Sequence, residues 1–512
     1  MHLSKRSFRE AILLAAGSFP ALVAGCVVLP TLPSVVHDGE IDSTPRAAHS
    51  ASAEPAPGHV TGTTQVVTSA VGRHAEQAVY EVSEEAGEAL SLQELIAVAL
   101  RQSPDLAAAR YRLAQAEAAL ARARAEFFPI LQLNENYGVT DNPVRAFMFK
   151  LNQGTFTAAD LANVTNPATI DNFHTQLLVQ QTLYTGGRLS ATYAAAQHGS
   201  VAAAHALQAV RNALIYRVAE AYYRLLQARN LVQVQQQSLR QVQEHLRIVE
   251  ARFRAGTAVE SDVLTVRVRL AETREALIAA QHRYELAWDV LENVIGTTLP
   301  RGRLPQRPTP APWPAEADPL ERALEEAIRR RPDLAAIREQ LAAARHQVEA
   351  ARAGNRPTAS LVADYDLYTG NLDDGDDSFF AGVMISWNLL DAGRTAAEVE
   401  QALARLGQLT AEQRRLLLDI QLQLKKTYSD WVDAKERLAV AEQAVQQAET
   451  TLREIEARYK AQAATITQLV DAQVALAQAL VRRENAAADV NIARAAVEHA
   501  VGRLADVIVD QR

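Results

Sequence analysis

The chain has 512 residues, a formal net charge of −8, few aromatics (5%) and a single cysteine. That charge offers no global basic field to recruit nucleic acid, and one cysteine excludes an internal disulfide. Ala, Gln, Arg, Glu and Leu dominate long stretches, which favours long helices over a string of small domains. No run of about 20 apolar residues follows the N-terminus, so no membrane-spanning helix is expected in the mature chain.

Lys5, Arg6 and Arg9 precede a short apolar stretch, 11–24, the layout of a secretory signal over 1–25. Val23-Ala24-Gly25-Cys26 resembles a bacterial lipobox, which makes Cys26 the lipidated first residue of the mature chain. The alternative is a plain signal peptide cleaved elsewhere. Several acyl chains on one residue anchor firmly where one binds only marginally. Residues 26–90 mix Pro, Ser, Thr, Gly, His and Ala without a period and read as a flexible tether. Six prolines within 297–317 forbid a continuous helix and mark a linker.

That linker separates two related halves. Leu92, Pro104, Asp105, Leu106, Pro129 and Tyr137 return as Leu320, Pro332, Asp333, Leu334, Pro357 and Tyr365, each 228 positions later. Gly187, Arg188, Tyr222, Phe253 and Gly296 return as Gly393, Arg394, Tyr428, Tyr459 and Gly502, each 206 positions later. The two offsets differ by 22, so the second copy lacks a segment lying between Tyr137 and Gly187 of the first. The copies span 91–296 and 318–502, with 503–512 as a tail.

Each copy begins with a helix that Pro104 or Pro332 breaks in two. Two alternating strands come next. Leu131, Leu133, Tyr137 and Val139 oppose Gln132, Asn134 and Asn136, with Glu135 an exception on the apolar side. Segments 173–183, 359–367 and 379–389 alternate in the same way. Period two over about ten residues suits a strand between two different solvents and spans a bilayer when tilted. A soluble sandwich is the alternative, but it needs more than four strands. Phe127, Phe128, Tyr184 and Trp387 fall at one end of the hairpins, as an interfacial aromatic belt does. The loop 140–172 carries Phe147, Met148, Phe149 and Phe156 and either covers the outer mouth or packs on a neighbour. Asp373-Asp374-Gly375-Asp376-Asp377 reads as a solvated turn, since it lacks the ligand spacing of a calcium loop.

Gly186, Gly187 and Gly393 allow a tight strand-to-helix joint. The next helices, 188–254 and 394–460, would each extend on the order of 100 Å. Leu225, Val232, Leu239, Leu246 and Phe253 recur every seven residues, as do Trp431, Leu438, Val445, Leu452 and Tyr459. Such a stripe makes a left-handed supercoiled seam. Each helix then turns and a second one returns. Scattered histidines, no His-Glu-x-x-His, no phosphate loop and no paired cysteines leave no catalytic, metal or cofactor motif.

Strand hairpin, glycine joint, long helix, turn and returning helix, all duplicated over 91–502, resemble the TolC family of outer-membrane factors. The strongest local likeness is Arg252-Phe253-Arg254-Ala255-Gly256-Thr257 with Asp262-Val263-Leu264 after it. The lipobox and tether are similar to its lipoprotein branch. The resemblance implies a homotrimer that joins a 12-stranded barrel, four strands per chain, to a coiled-coil α-helical barrel in the periplasm. It also implies an exit duct of a tripartite efflux pump, with a periplasmic adaptor (membrane fusion protein) and an inner-membrane pump of RND or ABC type as partners. Type I protein secretion is the second reading and a non-conducting envelope tether the third. Physics alone requires at least two chains, because four strands cannot close a barrel and open edges are not tolerated in lipid. The resemblance also places an aperture at Asp471 and Gln468, with Asp262 matching Gln468 in the first copy. An ordinary solvated helix face is the alternative there. Adaptor-docking tips fall at Phe253, Gly256 and Thr257 and at Tyr459 and Gln462. Gln462 stands where the family has glycine, so the first tip is expected to dock more strongly.

Overall fold

The computed structural model describes residues 90–301, 318–371, 374–461 and 463–509. Cys26, the tether and Gln462 lie outside the described residues. The first copy runs α1 (Leu92–Gln102), α2 (Pro104–Ala125), β1 (Ile130–Thr140), α3 (Pro143–Asn152), β2 (Ile170–Tyr184), α4 (Arg188–Arg254) and α5 (Glu260–Ile295). The second runs α6 (Leu320–Arg330), α7 (Pro332–Arg352), β3 (Thr358–Asn371), β4 (Asp374–Ser386), α8 (Arg394–Lys460) and α9 (Ile466–Val501), and α10 (Leu504–Val509) comes last. The long helices have 67 residues in both copies and the returning ones 36 in both. Between the strands of the first copy, α3 and a short 3-10 turn, Ala158–Asn163, have no counterpart in the second.

Local chemistry explains the repeated boundaries. Pro104 and Pro332 open α2 and α7, where a missing N–H costs nothing and the preset φ starts a helix. Gly296 and Gly502 end the returning helices at φ +87° and +89°. Two tyrosines tie each copy's entry to its long helix. The Tyr222 hydroxyl donates to the Leu90 carbonyl at 2.8 Å, and that of Tyr428 donates to the Asp318 carbonyl at 2.7 Å.

The largest core forms where α1, α4 and α5 meet, around Leu95, Ile215, Tyr222, Leu225, Trp288 and Leu291. Leu504, in the stretch expected to be a tail, is buried in that core. The second copy solves the matching problem with charge. Arg494 occupies the position of Trp288 and pairs with Glu498 at 2.7 Å, both almost fully buried. Arg503 closes the network on Glu498 at 2.9 Å and Asp318 at 2.6 Å. A buried pair of this kind needs such additional partners to offset desolvation.

The four strands form one antiparallel sheet in the order β1-β2-β3-β4. Its register gathers the alternating residues of all four strands. Leu133 faces Leu177, which faces Tyr365, which faces Phe379. On the opposite parity Asn134 faces Gln176, which faces Asp366, which faces Ser378. One face is therefore mostly apolar, with exceptions such as Glu135 and Thr175, and the other mostly polar, with exceptions such as Leu178, Phe380 and Met384. Phe127, Phe128, Tyr184 and Trp387 are all exposed at the end nearest the long helices. Two strand boundaries differ from expectation. The acidic run is not a free turn: Gly375, Asp376 and Asp377 pair with Thr369, Tyr368 and Leu367, because carboxylates at the rim of a sheet stay solvated within the ladder. β4 also stops at Ser386, where the Trp387 indole N–H turns to donate to the Asn355 carbonyl at 3.0 Å.

The strand-to-helix joints separate two uses of glycine. Gly186, Gly187 and Gly393 have φ of +67°, +94° and +88°. A Cβ on Gly186 would collide with that of Arg356, while one on Gly393 would meet nothing within 4 Å. Gly393→Ala should therefore cost only the left-handed backbone term, roughly 1–2 kcal/mol. Gly186→Ala adds the clash and is expected to lower trimer yield and thermal stability in detergent by clearly more.

Candidate functional site

The candidate surfaces are the two helical tips and the polar face of the sheet. At the first tip, α4 ends at Arg254 and Gly256 reverses the chain at φ +75°. The Thr257 N–H donates to the Arg252 carbonyl at 2.9 Å and its hydroxyl to the same oxygen at 3.1 Å, which closes the turn. Nothing lies within 4 Å of a Cβ built on Gly256, so this turn presents bare backbone to solvent. At the second tip, the Ala463 N–H donates to the Arg458 carbonyl at 2.7 Å, the same closure one repeat later.

The tips differ in how the returning helix begins. Thr465 caps α9: its hydroxyl accepts from the Gln468 N–H at 3.2 Å, and the Gln468 side-chain oxygen accepts from the Thr465 N–H at 3.0 Å. This capping box occupies the Gln468 amide. Val259 supplies no such cap in the first copy, and the Asp262 N–H donates to the Val259 carbonyl at 3.1 Å. Asp471 lies one turn beyond Gln468 on the same face of α9, and both are exposed. Phe253 is 44% exposed, whereas its counterpart Tyr459 is half-buried against the tip core.

A small core joins the two hairpins here, with Val249, Val263 and Val266 from the first and Leu452, Ile466 and Leu469 from the second. Two polar contacts cross the same seam, and neither is foreshadowed in the sequence. The Arg252 guanidinium stacks over the Tyr459 ring, 4.5 Å from its centroid. His245 on α4 contacts the Gln473 amide on α9. Residue period marks the apolar stripe, but no local signal announces a side chain that reaches across to another hairpin. Among the described residues, no group of three or more His, Cys, Asp or Glu is placed to hold a metal ion.

On the polar face of the sheet, His174 Nε2 lies 2.7 Å from an Asp366 carboxylate oxygen and its ring stacks on Tyr368. Asn134 donates to Gln176 at 3.2 Å. These groups satisfy one another and leave a hydrophilic wall.

Burial pushes the His245 pKa below its ordinary 6.5, against the pull of Glu456 and Glu244. Separation of α4 from α9 would restore the higher value, so protons bind the parted state more tightly. The seam's full contribution is present above about pH 6.5 and is lost as pH falls below it. Hydrogen exchange in 460–475, corrected for intrinsic rate, is expected to accelerate between about pH 7.5 and 5.5, on either side of that value, and His245→Gln should flatten that response.

Residues 95–297 and 323–503 match the family described as Outer membrane efflux protein. The pyoverdine export outer membrane protein OpmQ of Pseudomonas aeruginosa is 26% identical over 406 residues, covering 79% of this chain and 82% of OpmQ. The cation efflux system protein CusC of Escherichia coli is 24% identical, covering 61% of this chain and 68% of CusC. The outer-membrane channel OprN has the same fold, with a TM-score of 0.69 at 23% identity over 80% of this chain and 89% of its own. The chain belongs to the outer membrane efflux protein family, the TolC-type ducts, and is accordingly not an enzyme but a trimeric outer-membrane channel that joins a 12-stranded barrel to a periplasmic helical barrel.

Proposed function

We propose that the trimer is the exit duct of a tripartite pump and passes small molecules, drugs or metal ions, delivered by an inner-membrane RND or ABC pump through a periplasmic adaptor. The observation that carries this reading is the open first tip: a glycine turn at the far end of a helix about 100 Å long, with backbone free for another protein to approach. The names of OpmQ and CusC support small cargo, since one is an exporter of pyoverdine and the other of cations. Lipidation of Cys26 would hold the chain start in the outer membrane. Phe253, Gly256 and Thr257 form the main adaptor surface, and Tyr459 and Gln462 the lesser one. A ring of three Asp471 side chains, with Gln468 and Asp262 near it, sets the aperture and draws cations.

Deletion in the native host tests the cargo. Increased sensitivity to small toxic compounds or metals, restored by the intact gene, is expected. Unchanged sensitivity with a polypeptide retained in the cell would instead identify type I secretion.

Two substitutions probe the site. Since a Cβ at position 256 meets no neighbour, Gly256→Trp adds bulk to the docking surface at only the left-handed backbone cost of the turn, roughly 1–2 kcal/mol. Export is expected to fall strongly at unchanged trimer level, with Gln462→Trp doing less. Asp471→Asn should reduce cation selectivity of the purified trimer, read as a smaller reversal potential in a salt gradient across a planar bilayer.

A further inference from the structure

The insert between β1 and β2, absent from the second copy, lies on the polar face of the sheet. A Cβ on Gly138 would meet Phe149 at 3.7 Å, and one on Gly154 would meet Asp376 at 3.3 Å. The Gln153 side chain, itself buried, donates to the Asp171 carbonyl at 2.7 Å and to Asn172 at 3.0 Å. Gly138, Asn172 and Asp376 all have polar-face parity and all sit at the end of the sheet far from the long helices. The insert thus crosses its own sheet from β1 to β4. It is internally braced: Lys150 and Thr157 hold the Asp160 carboxyl down to about 2, and Phe147 meets Phe156 edge to face.

The outer surface of this brace is apolar. Val144, Met148 and Leu151 recur at helical spacing along α3 and are 71%, 47% and 43% exposed. In a membrane barrel the polar face is the lumen, so this stripe points into the bore. We infer that the three inserts of the trimer close on one another through this stripe and form an apolar collar that narrows the outer mouth. The occupant of each stripe is the same segment of the other two chains. Continuity with the barrel interface supports this, because pairing of β1 with a neighbour's β4 brings each insert beside the next. Dimensions support it as well. Twelve strands tilted by about 40° enclose roughly 24 Å between backbones, and three helices each about 10 Å thick fill most of that width.

The collar rests on the trimeric duct and is independent of the cargo. It can be tested from outside intact cells with Gln180→Cys, a polar-face position about 27 Å farther down β2 than Asn172. A maleimide carried on a long polyethylene glycol chain is expected not to label Gln180→Cys. With Met148→Asp and Leu151→Asp added, which leave the contacts to the sheet in place, it is expected to label. In a separate variant, Met148→Cys should give a chain–chain disulfide on mild oxidation. Labelling by the large reagent with the stripe intact, or no disulfide from Met148→Cys at normal trimer level, overturns the collar. If even a small charged methanethiosulfonate fails to label the Asp-substituted variant, the polar face is not the lumen and the inference falls with the duct itself.

Discussion

The edges of the four-stranded sheet govern the rest of this molecule. Among the described residues, β1 pairs only with β2 and β4 only with β3, so each outer strand carries a row of N–H and C=O groups that the sheet leaves unpaired. In hydrocarbon each such group costs several kcal/mol, far more than a folded chain can carry along a whole strand. The edges must therefore meet edges of other chains, and a closed barrel shared by three copies is the family's solution. Closure fixes the lumen on the polar face and sets the helices around the same axis. The periodicity of the strands serves that purpose, with lipid on one side and water on the other.

Duplication supplies the helical part at little architectural cost, and the departures from symmetry show where the two copies have separate tasks. Helix lengths are equal, and both entry carbonyls are held by a tyrosine hydroxyl. The core position of Trp288 is nevertheless Arg494 in the second copy, and the aromatic ring has moved to Trp431, 5.4 Å from that guanidinium. The ion network around Glu498 and Arg503 then fastens the returning helix to the start of the second copy through Asp318. At the tips, the first turn is open glycine and exposed Phe253. The second is capped by Thr465 and leans on its neighbour through Tyr459. The first tip thus leaves its aromatic side chain exposed, while the second packs its own against the neighbouring hairpin.

Much of this is legible in the sequence because two periods carry it. A strict seven-residue stripe cannot be read as anything but a long helix, and glycines set both limits of 188–254 and the start of 394–460. Alternation over ten residues fixes which side chains share a face before any pairing is known. The run at Asp374 misleads because acidic residues and glycine signal a loop, yet at a barrel rim they remain wet while paired. The placement of the insert stays open in the sequence, since a short amphipathic segment names no partner. The contacts of Arg252 with Tyr459 and of His245 with Gln473 depend on how two hairpins lie side by side, which no local pattern encodes.

The distribution of packing along the helices also bears on how such a duct can work without an energy source of its own. Midway along the long helices, beside the helix entries and about 50 Å from the strand-to-helix joint, Trp288, Tyr222, Leu225 and Leu291 are fully buried. Removal of any one of these would cost on the order of 3 kcal/mol or more. At the tips the seam between hairpins rests on ten buried aliphatic side chains, a cation–π contact worth about 0.5–1 kcal/mol where exposed, and an amide contact whose Gln473 oxygen has no hydrogen-bond partner among the described residues. Parting the hairpins at the tips would therefore expose a smaller core of aliphatic side chains, while the larger core around Trp288 keeps its contacts. The aromatic-rich packing is thus concentrated at mid-helix, and the tips are held by smaller aliphatic side chains.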